Sequence, residues 1–312
     1  MSTAVGPLFN TKYKDGAMMK ERSCYNPPVI IAEIGCNHKG DFEIACEMVR
    51  IAKMFCDVDY VKFQKRNNRE LLTEKQYNSP HPTSYHAYGA TYGEHREFLE
   101  FTIKQHAELK SYCEKIGVGY SCSVWDITSL KQIMELEPDY IKIPSAINIH
   151  WDLLKIICEQ YPGNIHLSLG MTTRSEEKRI IRFFNDHSRL PDLVIYHCTS
   201  GYPVPPRDIC LLEIKRIAKE HGDKVKDIGF SAHYTGIGLD GPAFLLGANY
   251  IERHFTLDRA WKGTDHSASL EPDGLRRVRK DSRVIAEALS YKKEEILEIE
   301  KVQREKLKYR SS

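Results

Sequence analysis

Two short apolar runs lead into a histidine each: Ile228-Gly229-Phe230-Ser231, with His233 just beyond, and Tyr250-Ile251-Glu252-Arg253-His254. Two others carry a single lysine among apolar neighbours, Tyr60-Val61-Lys62-Phe63-Gln64 and Tyr140-Ile141-Lys142-Ile143. A buried ammonium needs an anionic partner. The hydroxyls of Ser121, Ser123, Ser145, Ser168 and Ser231, at or just past the ends of similar runs, suit phosphate or carboxylate oxygens. A small, doubly anionic ligand is therefore expected. His233 and His254, with the remaining positions filled by substrate oxygens and water, suit an octahedral divalent ion such as Mn²⁺ or Mg²⁺. For either histidine taken alone, a hydrogen-bonded place in the core is the competing reading. Glu33, within Val29–Gly35, is a carboxylate at the end of an apolar run and a candidate for chemistry. An ion pair with Lys62 is its structural alternative.

These residues need elements that bring run ends together. Continuous apolar runs without alternation read as strands covered on both faces. They fall at residues 29–35, 60–64, 119–121, 140–143, 165–169, 193–197, 228–231 and 250–254. Helical patterns separate them, the first opening at Asp41 as N-cap with Phe42, Ala45, Met48, Val49 and Ala52 on one face. Eight such units predict a closed (β/α)8 TIM barrel, with its site at the C-terminal strand ends. An open doubly wound sheet is the runner-up, but no G-x-G-x-x-G follows the first strand. The polar stretch from Arg66 to Glu94 reads as an irregular lid or substrate loop. Residues 1–28 read as an N-terminal cap, 29–285 as the barrel, and 286–312 as a C-terminal helical extension broken near Ser290.

Composition narrows the class. The 312 residues are 41% hydrophobic and 28% charged, ordinary for a globular enzyme. A formal net charge of +2 gives no argument for nucleic acid or a membrane surface. No apolar run approaches the roughly 20 residues of a transmembrane span. The N-terminus has no signal-like apolar core. Nine scattered cysteines with no C-x-x-C pair suit reduced thiols, so a cytoplasmic protein is expected, without a disulfide framework or structural zinc.

Eight ordered segments resemble the sialic acid synthase family, barrel enzymes that condense phosphoenolpyruvate in making nonulosonic acids. They are IAEIGCNHKGD, DYVKFQK, YIKIPSA, LSLGM, YHCTSGYPVP, GFSAHYTGIG, ANYIERHFTLDR and GTDHSASLEPDGL, spanning Val29 to Arg277. The resemblance implies that Lys62 and Lys142 hold phosphoenolpyruvate, with Ser123, Ser145, Ser168 and Ser231 assisting. It implies His233 and His254 as ligands of a divalent metal that polarises the aldehyde of an open-chain sugar. Glu33 and Asp265 fall beside the reacting sugar, as base for the attacking water and as acid for the new alkoxide. Tyr202 and Ser200 contact the sugar, and Gln64 lines the site. The expected reaction joins phosphoenolpyruvate to an aldose of the N-acetylmannosamine type, giving a 3-deoxy-2-ulosonic acid and phosphate.

The chain also departs from the family pattern. Ser145-Ala146-Ile147 lacks the glutamate usual after the fourth strand, Ser200 replaces an asparagine, and Ala232 an aspartate. The C-terminal antifreeze-like domain, which in relatives covers a partner's site, is expected to be missing. An altered acceptor, or cover from the 66–94 loop with Arg66, Arg69, His95 and Arg96 as sugar contacts, follows. A homo-oligomer is expected. Trp125, Trp151, Cys122 and Cys198 read as packing or spectator residues. A Schiff-base pyruvate aldolase using Lys62 or Lys142, and a non-catalytic barrel that binds a sugar acid, are the rival functions.

Overall fold

The structure is a computed structural model and describes residues 25–309. The N-terminal cap expected over residues 1–28 therefore lies almost wholly outside the described residues. Eight strands, β1 (Val29–Gly35), β2 (Tyr60–Lys65), β3 (Gly119–Val124), β4 (Tyr140–Ile143), β5 (Asn164–Ser168), β6 (Leu193–Cys198), β7 (Asp227–Ala232) and β8 (Tyr250–His254), close in chain order into a barrel. All neighbours are parallel, β8 returning to β1 with His254 opposite Glu33. The (β/α)8 TIM barrel is what the alternation of runs and helical patterns requires. Residues 27–285 form one compact unit; the helix Glu298–Leu307 belongs to a second. No helix among the described residues is long and apolar enough to cross a membrane.

Strand side chains alternate between two environments. One set, including Ile30, Ala32, Ile34, Val61, Phe63, Ile141, Ile165 and Ile251, packs into the core beneath the surrounding helices. The helix Phe42–Met54 supplies Ala45, Met48, Val49 and Ala52 to that layer, and Asp41 caps it by accepting from the Glu43 and Ile44 amides. The other set fills the barrel. Ile31, Tyr140, Val194 and Tyr196 form a separate apolar cluster there, flanked by Val29, Tyr60 and Tyr250. Two glycines make room for these rings: a Cβ on Gly119 would stand 2.2 Å from the Tyr60 ring, and one on Gly229 2.5 Å from the Tyr196 ring. The cluster is a floor, and the inward positions above it are polar.

The 66–94 segment is more ordered than its composition suggests. It holds the short helices Asn68–Leu71 and Glu74–Tyr77 and the start of Tyr92–Phe98. Reciprocal capping boxes, Thr73 with Gln76 and Thr91 with Glu94, account for two of the three starts. The helices before β7 and β8 are short, Leu212–His221 and Asp240–Leu245. The final helical pattern breaks after Ala288 and resumes at Glu298.

Candidate active site

A cavity of about 280 Å³ opens above the floor, at the C-terminal ends of the strands. Lys62 on β2 and Lys142 on β4 both stand in its wall, and both are almost fully buried. Lys62 donates to Ser123 Oγ at 2.7 Å, is paired with Glu33, and lies 3.7 Å from Glu252. Lys142 donates to Glu252 at 3.0 Å and lies 3.3 Å from the centroid of the Tyr196 ring, so the aromatic floor carries an ammonium on its face. Glu252 also accepts from Ser231 Oγ at 3.0 Å. Two ammonium groups and two carboxylates thus alternate around the base of the cavity.

Their charges are tuned by burial and by each other. Burial pushes the Glu33 carboxyl above its ordinary value, opposed by Lys62 and aided by Glu252. Burial acts against Glu252 in the same way, but the attraction of Lys142 and Lys62 reverses it and holds the group well below the ordinary range. Lys62 is lowered by burial and raised further by Glu252 and Glu33, ending above its usual value. Lys142 ends below it, through burial and the nearby Lys62, with Glu252 acting the other way. The two lysines thus favour the anion at Glu252, while burial favours the proton at Glu33.

Glu33 is aimed by its neighbours. Gln64 Nε2 donates to it at 2.7 Å. The register of β1 against β2 shifts between Glu33 and Gly35, and Gly35 takes φ +54°. A Cβ there would lie 2.9 Å from Gln64 Nε2 and 3.1 Å from Glu33 Oε1, so the glycine leaves room for their bond. Behind Gln64, the guanidinium of Arg66 donates to Gln64 Oε1, fixing which way the amide faces, and lies 3.4 Å from Glu100.

Above the base, His233 and His254 face each other with ring centroids 5.2 Å apart, and Tyr202 stands 4.4 Å from the former. His233 Nδ1 donates to the Thr199 carbonyl at 3.0 Å, which leaves its Nε2 with a lone pair. His254 Nδ1 is buried and finds no hydrogen-bond partner among the described residues. Burial lowers His233 to about 4, with the neighbouring His254 next in effect. Burial likewise lowers His254, against the pull of Asp265. Two neutral imidazoles on one cavity wall, one with an unused nitrogen, fit a divalent ion. A second group whose ligand atoms lie within 4.8 Å of one another, Glu177, Glu220 and His221, sits on the helices Arg174–Asp186 and Leu212–His221. Glu177 there is already bonded to Arg216 and His221, which makes the group an ion-pair network.

The cavity wall gathers most of the residues singled out from sequence, but not Asp265, Ser121, Arg66, Arg69, His95 or Arg96. Ser145, Ser168, Ser200 and Ser231 stand along it with the lysines, Glu33, Gln64, Ser123, Tyr202 and both histidines. Asp265 does not line it; half-buried in the loop after β8, it reaches toward His254 Nδ1 at 3.8 Å. Arg66 turns behind the wall, Arg69 stacks on Tyr77 at 3.6 Å, and His95 accepts from the Tyr88 amide, so none of the three is a wall residue. Conversely Trp125 and Cys198, read from sequence as packing and spectator residues, are in the wall. Trp125 Nε1 has no hydrogen-bond partner among the described residues. The one charged residue of the base left out of the sequence selection is Glu252. Its signal was present: a carboxylate in the same run as His254, two residues earlier, on the same strand face.

Comparison with known proteins follows the same lines. The model of the NeuB family matches residues 48–294. Human N-acetylneuraminate-9-phosphate synthase is 36% identical over 282 residues, covering 90% of this chain and 77% of that protein. N,N'-diacetyllegionaminic acid synthase of Campylobacter jejuni is 32% identical, covering 84% of this chain and 77% of that protein. The crystal structure of the N-acetylneuraminic acid synthetase from Leptospira borgpetersenii, in complex with citrate, superposes with a TM-score of 0.75 at 26% identity, covering 91% and 94% of the two chains.

Proposed function

The chain belongs to the NeuB family, and we propose that it condenses phosphoenolpyruvate with an aldose to form a 3-deoxy-2-ulosonic acid and inorganic phosphate. One observation carries the reading: Lys62 and Lys142 stand over a closed aromatic floor in a cavity whose wall also presents two neutral imidazoles. Lys62, Lys142 and the hydroxyls of Ser123, Ser145, Ser168 and Ser231 hold the phosphate and carboxylate of the enol substrate. The lysines are already balanced by Glu33 and Glu252, so the charge of a bound enol phosphate calls for a further cation. His233 and His254 would hold that cation as Mn²⁺ or Mg²⁺. Bound there, a divalent ion supplies Lewis acidity toward the acceptor's aldehyde oxygen.

The chain's own groups account for the rest. The methylene carbon of phosphoenolpyruvate bonds to the aldehyde carbon, and the aldehyde oxygen gains a proton. Asp265, outside the cavity wall but 3.8 Å from His254 Nδ1, would deliver it. Water adds to the former enol carbon and gives its proton to Glu33, whose raised affinity for a proton and fixed bond to Gln64 suit a base. The bond from that carbon to the bridging oxygen then breaks as the carbon's hydroxyl becomes the keto C=O and its proton passes to the departing phosphate, which leaves against Lys62 and Lys142. Tyr202 and Ser200, nearer the mouth, contact the sugar.

Ile147 is buried in the core behind the wall, so the position of the family's glutamate offers no charge to the acceptor. The names of the two relatives also differ in one respect: the product of the human enzyme carries a phosphate on carbon 9, and that of the Campylobacter enzyme is named without one. Three product carbons come from phosphoenolpyruvate, so carbon 9 of such a product is carbon 6 of the acceptor.

Mixing the protein with Mn²⁺, phosphoenolpyruvate and a panel of aldoses tests the reading. Phosphate release that requires the metal and an aldose is expected. A pyruvate adduct on Lys62 or Lys142 trapped by borohydride, without phosphate release, would turn it into a Schiff-base aldolase.

A further inference from the structure

Lys62 and Lys142 are alike in burial but not in company. Lys62 is held by Ser123, Glu33 and Glu252. Among the described residues Lys142 has one carboxylate within 4.0 Å, Glu252 at 3.0 Å, and its second neighbour is an uncharged ring: Nζ lies 3.3 Å from the centroid of Tyr196. The electron-rich face of a ring attracts an ammonium, most strongly where both are away from water.

The ring is itself held in place. Tyr196 is fully buried, and its Oη shares a 2.8 Å hydrogen bond with His166 Nδ1. His166 lies flat against Tyr140, with centroids 3.7 Å apart and planes 11° from parallel. Tyr140, His166 and Tyr196 each precede a wall residue by two positions on the same strand: Lys142, Ser168 and Cys198. They therefore share the layer directly beneath the cavity. None of the three carries a charge there. Burial, then the Lys142 ammonium, holds His166 well below its ordinary value, and burial, then Tyr140, raises Tyr196, leaving an imidazole and a phenol. Burial likewise raises Tyr140. A further carboxylate would steady Lys142 as well, but it would repel a substrate that brings a phosphate and a carboxylate of its own. A ring face draws the ammonium without adding negative charge.

We propose that Tyr196, keyed by its bond to His166, is a positioning residue for Lys142: its ring face holds the ammonium in the cavity and lets it pass from Glu252 to the anionic substrate. The proposal rests on the reading of the cavity as a phosphoenolpyruvate site. Without the ring, compensation of the buried ammonium falls to Glu252 alone, and Lys142 settles on that carboxylate instead of on the substrate.

The test varies the electrons of the ring at nearly constant shape. Tyr196 is replaced by phenylalanine and by its mono-, di- and trifluorinated forms, and phosphoenolpyruvate binding is measured by calorimetry with Mn²⁺ and no aldose, so that turnover does not enter. Fluorine withdraws electron density from the face, so Kd should rise stepwise, by about tenfold from phenylalanine to the trifluoro form, the equivalent of about 1.4 kcal/mol. A Kd indifferent to fluorination overturns the proposal. Tyr196→Phe and His166→Leu should each weaken binding by about threefold, and the double variant no more than either, since each removes the same bond. Additive losses overturn the keying by His166. Val194→Ala takes volume from the same apolar cluster; it should lower the thermal midpoint and leave Kd unchanged. A Kd raised there as far as in the fluorinated series makes packing of the floor the cause and overturns the role of the ring face. A wild type that binds no phosphoenolpyruvate overturns the condensation reading itself, and this inference with it.

Discussion

Arg253 and Glu252 are adjacent on β8, point to opposite sides of the barrel wall, and both bury a charge. Outside, Arg253 is fully buried; it donates to Asp240 at 2.5 Å and to the carbonyls of Tyr234 and Gly236 at 2.9 and 2.8 Å. That set pins the turn after β7 to β8, away from the residues lining the active-site cavity. Inside, Glu252 joins Lys62, Lys142 and Glu33, and every member faces the cavity. The outer network pairs its charges within the protein, although Arg253 Nε and Asp240 Oδ1 have no hydrogen-bond partner among the described residues. The inner one is complete only in net charge, since its ammonium and carboxyl groups can change partners when an anion arrives. Burial makes either arrangement expensive to disrupt, but only the one with an open side can exchange its partners.

Four substitutions would break or sharpen that contrast. Lys142→Met should have the largest consequence, lowering kcat/KM for phosphoenolpyruvate by about 10³-fold. Its thermal midpoint should move less than that of an Arg253 variant, because Glu252 keeps Ser231 and Lys62; steady-state kinetics beside thermal unfolding checks both. Arg253→Met strands Asp240 and should cost about 3 kcal/mol of stability, measured by urea denaturation, with the residual activity per folded molecule little changed. If the rate falls as far as for the lysine, the distinction between the two faces fails.

The third concerns the other closed network, on the helices. Glu177 sits at about 2 against an ordinary 4.5: burial raises it, and bonds to His221, Arg216 and Arg174 more than reverse this. Its folded value lies below its unfolded one, so its contribution is complete above about 4.5 and is lost as pH falls toward 2. In Glu177→Gln the unfolding free energy should be lower at pH 7 and lose less between pH 5 and pH 3 than in the wild type, as read from denaturant titrations at each pH. The smallest effect is expected behind the cavity wall. Arg66→Met releases the Gln64 amide that steadies Glu33, and kcat should fall about tenfold with the KM for phosphoenolpyruvate nearly constant. Arg66→Lys should recover part of the loss; a change confined to the thermal midpoint would make Arg66 a packing residue only.

Much of the inner network could be read before any coordinates, because a lysine inside an apolar strand is conspicuous and its face follows from the period of two. Lys62, Lys142, His233 and His254 were visible for that reason. Glu252 stands among the strand-end polar groups without a role readable from sequence, and only the pairing of Ser231 with Glu252 and the reach of Lys142 show it at the centre. Arg66 and Arg96 are both basic residues bordering one polar insertion, and their sequence surroundings do not separate them. Both guanidiniums lie near the Trp125 ring, at 4.8 and 5.8 Å, but folding brings Arg66 within 3.4 Å of Glu100 and sets Arg96 on the Tyr92 hydroxyl.

The sequence by itself determined the barrel, the order of its strands and which side chains enter it, since alternation within a strand and the parallel strand–helix rhythm are local properties. It did not decide which charges meet. Partner choice among buried ions depends on ångström distances between strands far apart in the chain, so only the closed barrel made Glu252 the hub and left His254 Nδ1, among the described residues, with no hydrogen bond and with Asp265 at 3.8 Å.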